Sequence, residues 1–86
     1  MNPDVDAALI RLQFVAYHQR RTDPALADDF DAVIRLAQSD PNIRQLDPAL
    51  MARLERRAAQ AAEADDAKLA KDIRGAVELI RQVIER

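Results

Sequence analysis

The side chains able to do chemistry in this chain are few. The one histidine, His18, supplies the only imidazole, the group that in general acid–base catalysis exchanges protons near neutrality. It would need a nucleophile or a second base beside it. Serine and threonine each occur once, as Ser39 and Thr22, and cysteine is absent. His18 therefore reads as a polar residue near a helix end, and no catalytic residue is assigned.

Asp28, Asp29 and Asp31, with Asp65, Asp66 and Asp72, form the carboxylate clusters. A divalent cation needs several oxygens converging on it. Adjacent helical residues point in different directions, and no Glu-x-x-His pair of the carboxylate-bridged bundle type is present. These aspartates read as helix-capping and solubilising groups, so no metal ligand is assigned. No cofactor is assigned either, since the chain lacks a Gly-rich phosphate loop, zinc-ligand spacing and a nucleophile elbow.

Arginine offers more. Arg53, Arg56 and Arg57 make a short basic face with Arg44 nearby, and Arg20 with Arg21 makes another. Such a face can contact phosphate, with Tyr17 as a stacking ring. Glu55, Glu63 and neighbouring aspartates interrupt it. Thirteen basic against fifteen acidic side chains leave a net charge of −2, so no global field draws the chain to nucleic acid or anionic lipid. Nucleic-acid binding through Arg53, Arg56 and Arg57 is the alternative reading.

The elements that must position these residues are helices. In 86 residues, 49% are hydrophobic, with a single Gly and few aromatic residues, and alanine and arginine are abundant. That mixture favours helix over strand and predicts one small globular domain over residues 1–86. Asn2-Pro3, Asp23-Pro24 and Asp47-Pro48 each set a capping side chain before a proline at the first helical position, where its missing N–H had no partner.

The first helix is expected from about Pro3 to Arg20. Val5, Leu9, Leu12 and Ala16 form one stripe. Ile10, Phe14 and Tyr17 are read as a second stripe beside it, making a face wide enough to touch two other helices. The second helix should run from Pro24 to Gln38, with Leu26, Phe30, Val33, Ile34 and Ala37 inward. Ser39-Asp40-Pro41-Asn42 should break it, with Ile43 and Leu46 of the connector tucked against the core.

Pro48 to Arg86 admits two readings. One continuous helix would measure about 58 Å. Against it, Asp65 would interrupt the apolar stripe, and Asp65 or Asp66 is able to cap a fourth helix beginning near Ala67. The pattern narrowly favours the break. The far end is amphipathic, with Leu69, Ile73, Ala76, Val77, Ile80, Val83 and Ile84 on one face. Gly75 within it marks either a close helix crossing or a tolerated loss of about 1 kcal/mol. The small residues from Ala58 to Ala64 allow another helix to approach closely.

The expected fold is thus all-α, a bundle of three to four helices with antiparallel neighbours. The start is acidic and unlike a signal peptide, no apolar run is long enough for a membrane span, and the absence of cysteine suits a cytoplasmic protein. The leading functional expectation is a non-catalytic protein–protein interaction module, such as an adaptor, small chaperone, inhibitor or assembly subunit. Its partner would be another protein or a second copy of itself, with no membrane and no evident small-molecule substrate. Candidate contacts are Ile10, Phe14, Tyr17, Val77, Ile80 and Ile84.

Overall fold

A computed structural model describes residues 3–38 and 48–84, with side-chain surroundings for 6–38 and 48–83. Four helices follow one another: α1 (Pro3–Thr22), α2 (Pro24–Gln38), α3 (Pro48–Glu63) and α4 (Ala67–Ile84). Expectations for Asn2, Asp47 and the connector residues Ser39, Asp40, Pro41, Asn42, Ile43, Arg44 and Leu46 lie outside the described residues.

Asp23 is the only residue between α1 and α2. Its carboxylate accepts a hydrogen bond from the Leu26 N–H at 3.2 Å, which satisfies one of the free donors of the first turn. The other carboxylate oxygen meets the Arg57 guanidinium of α3. One side chain thus starts a helix and ties a third helix to that start.

The segment after Pro48 breaks, as the aspartates suggest. The Asp66 N–H donates to the Ala61 carbonyl at 2.9 Å, and the Asp65 N–H donates to the Ala62 carbonyl at 3.3 Å. These are the two bonds of a Schellman motif, which closes a helix through one left-handed residue. Asp65 is that residue, with φ of 59°. The carboxylate of Asp66 then accepts from the Leu69 N–H at 3.2 Å and caps α4.

The core is apolar throughout. Leu12 and Ala16 of α1, Leu26, Ala27, Phe30 and Val33 of α2, and Leu50, Leu54, Ala58 and Ala61 of α3 are buried. From α4 come Ala70, Ile73, Ala76, Val77, Leu79, Ile80 and Val83. Helix α4 packs against each of the other three, while α1 pairs with α2 and α3 with α4. The small Ala58 and Ala61 are buried where α3 packs on α4, while Ala59, Ala62 and Ala64 of the same run stay exposed.

Ion pairs join α1 to α2, α2 to α3, α3 to α4 and α1 to α4 from outside. Arg20 on α1 meets Asp28 at 3.7 Å and also Asp31, both on α2. Arg53 on α3 reaches Asp29 on α2 at 2.9 Å, Arg81 on α4 reaches Glu55 on α3 at 3.7 Å, and Arg11 on α1 reaches Asp72 on α4 at 3.4 Å. Arg81 is near the end of α4 and Glu55 is in the first half of α3, so these two run antiparallel.

Candidate protein-binding face

The candidate residues divide by helix. On α1, Ile10, Phe14 and Tyr17 are 56%, 64% and 67% exposed. On α4, Val77 and Ile80 are 7% and 0% exposed, which makes them core residues and corrects their assignment as contacts. The side chain of Ile84 lies outside the described residues. Val77 and Ile80 thus share no exposed face with the α1 candidates.

The reason is angular. The apolar and small residues of α4 from Ala70 through Ile73, Val77, Leu79 and Ile80 to Val83 sweep about half the circumference at roughly 100° per residue. An arc that wide must be covered by more than one neighbour, and three helices cover it here. Leu79 is buried although the amphipathic stripe read from the sequence omits it; counted with the others, it shows the width of the arc.

Helix α1 does the opposite. Its second stripe does not lie beside the first: Leu12 and Phe14 are separated by about 200° around the helix. Leu12 and Ala16 are buried, with Ala8, Leu9 and Val15 half-buried against the core. Ile10, Phe14 and Tyr17 therefore lie outside the side of α1 that is buried against α2 and α4. A helix apolar on two nearly opposite sides can bury only one of them within a single bundle layer.

The exposed stripe borders a groove between α1 and α4. Phe14 and Val15 line it from α1 and Leu69 from α4, with His18 and Lys68 at its edge. The Arg11–Asp72 ion pair crosses the groove. Beyond that pair the groove continues past Ala7 to Gly75. A Cβ at Gly75 would meet nothing within 4 Å, so Gly75 is not a site of close crossing with the described helices. His18 itself is exposed, its ring 5.8 Å from that of Tyr17 in an edge-on arrangement.

The alternative arginine face is largely neutralised by the fold. Arg53 donates to both carboxylate oxygens of Asp29, and Arg57 is paired with Asp23; Arg56 alone of the three is exposed without such a partner among the described residues. Asp28, Asp29 and Asp31 are likewise divided between Arg20 and Arg53, and among the described residues no three His, Asp or Glu side chains are grouped to hold a metal. None of the described helices is long and apolar enough to cross a membrane.

Three large side chains each more than half exposed amount to an uncovered surface on the order of 400 Å², comparable with the largest apolar patch of a typical monomer, which is often functional. Tyr17 gives this surface a polar end, as in protein interfaces, where aromatic residues are enriched. The chain matches no protein-family model, no curated protein and no solved structure, so side-chain geometry alone carries the functional reading.

Proposed function

We propose that this protein is a cytoplasmic helical interaction module that binds a protein through the outer stripe of α1 and carries out no chemistry of its own. The supporting observation is the exposure of Ile10, Phe14 and Tyr17 on one side of α1 while the opposite side of that helix builds the core. Leaving Ile, Phe and Tyr in water forfeits on the order of 1.5–3 kcal/mol for each large apolar side chain left unburied. A covering protein recovers that. The absence of cysteine suits a reducing compartment.

The test is affinity capture from the native cell lysate, with and without nuclease, comparing the unaltered chain with Phe14→Glu. Recovery of a stoichiometric protein that survives nuclease and is lost with Phe14→Glu supports the reading. Partners that vanish with nuclease would instead point to nucleic acid. Partners indifferent to Phe14→Glu would remove the α1 stripe from the function.

A further inference from the structure

We propose that the occupant of the α1 stripe is a second copy of this chain, packed α1 against α1 in antiparallel orientation about a two-fold axis. The proposal rests on the reading of the stripe as a protein-binding face and adds the partner. Its carrier is charge complementarity. At about 100° per residue, Asp6, Ile10, Phe14, Tyr17 and Arg21 fall within a strip about 80° wide along α1. All five are exposed. The strip is acidic at one end, basic at the other and apolar between.

That order is self-complementary in reverse. Asp6 and Ile10 are four positions apart, as are Tyr17 and Arg21. An antiparallel register that sets Ile10 against Tyr17 of the second copy therefore also sets Asp6 against its Arg21. The two-fold axis generates each pairing twice, as an isologous interface requires. In the same register the axis passes between Gln13 and Phe14, so that Gln13 faces Phe14 of the second copy and no charges are opposed there. A parallel pairing would oppose Asp6 with Asp6 and Arg21 with Arg21.

The charges are free to serve. Neither Asp6 nor Arg21 pairs with any described residue, whereas the adjacent Arg20 is engaged by Asp28 and Asp31. The stripe covers about half of the roughly 800 Å² per partner of a standard interface. Its polar flanks and the α1–α4 groove supply the remainder. The result is a reversible dimer rather than an obligate one.

Sedimentation equilibrium of the purified full chain over a concentration series tests this. The expected result is a monomer–dimer equilibrium weakened about tenfold by Asp6→Arg or by Arg21→Asp, since each reversal affects two symmetry-related pairs. The double variant should restore it. Because the chain has no cysteine, spin labels on single cysteines report the orientation. Labels at Gln13→Cys should approach closely across the axis, and labels at Ala7→Cys should be offset by about 20 Å along it.

A chain that stays monomeric throughout the series overturns the dimer. So does a dimer indifferent to both charge reversals, or one with equally short distances at positions 7 and 13. Capture of a different protein that is lost with Phe14→Glu, alongside a monomeric pure chain, would overturn the dimer and leave the binding face standing. All substituted positions are exposed, and helical circular dichroism verifies that each variant is folded.

Discussion

Asp65 and Asp66 are neighbours of one residue type with opposite energetic roles. Asp65 occupies the left-handed region, at φ of 59°, which costs an L-residue roughly 1–2 kcal/mol and glycine almost nothing. Asp66 accepts from the Leu69 N–H and satisfies a donor that the first turn of α4 otherwise leaves open. Asp65→Gly is therefore expected to stabilise the protein by about 0.5–1 kcal/mol, and Asp66→Ala to destabilise it by about 1 kcal/mol. In a chain of this size, 1 kcal/mol moves the thermal midpoint by about 4–8 °C, so thermal melts by circular dichroism resolve both. Equal losses from the two substitutions would contradict the division of roles.

At the scale of the element, two phenylalanines measure the difference between the inner and outer sides of the fold. Phe30 of α2 is fully buried and Phe14 of α1 is 64% exposed. Phe30→Ala removes a core side chain and leaves a cavity, at a cost of about 3–5 kcal/mol. Total stability for 86 residues is roughly 4–13 kcal/mol, so this loss takes a large share. Phe14→Ala is expected to change the stability of the monomer by no more than about 0.5 kcal/mol. Urea denaturation at low protein concentration checks both. A large loss from Phe14→Ala would mean that the stripe supports the bundle itself.

For the whole molecule, α4 is the hub. It contacts α1, α2 and α3, and Ile73, Leu79 and Ile80 are among the largest fully buried side chains. Opening any other helix leaves α4 partly covered, whereas opening α4 uncovers all three. Native-state hydrogen exchange should accordingly be slowest at the amides of Ile73 to Ile80 and approach the global unfolding free energy there. Faster exchange in α4 than in α1 would displace it from that position. The inter-helix ion pairs act around this hub as orienting contacts. Most have an exposed member and contribute about 0–1 kcal/mol each.

The four helices, the break after Glu63 and most of the α2 and α4 core are legible in the amino-acid sequence, because capping and 3.6-residue periodicity are local. Asp23 before Pro24 and the Asp65-Asp66 pair each announce a boundary through groups a few residues apart. What tertiary structure decided is which apolar residues find a cover. Val77 and Ile80 could be read as an interaction face or as core, and they are core because three helices converge on α4. Ile10, Phe14 and Tyr17 have the same composition as core residues but stand outside, because the opposite side of α1 is the one that meets α2 and α4. Arg53 and Arg57 read as a basic face in the sequence and are matched by Asp29 and Asp23, each more than a helix length away along the chain. Local hydrogen bonds are encoded in the order of neighbours; burial and ion pairing depend on residues that only the folded chain brings together.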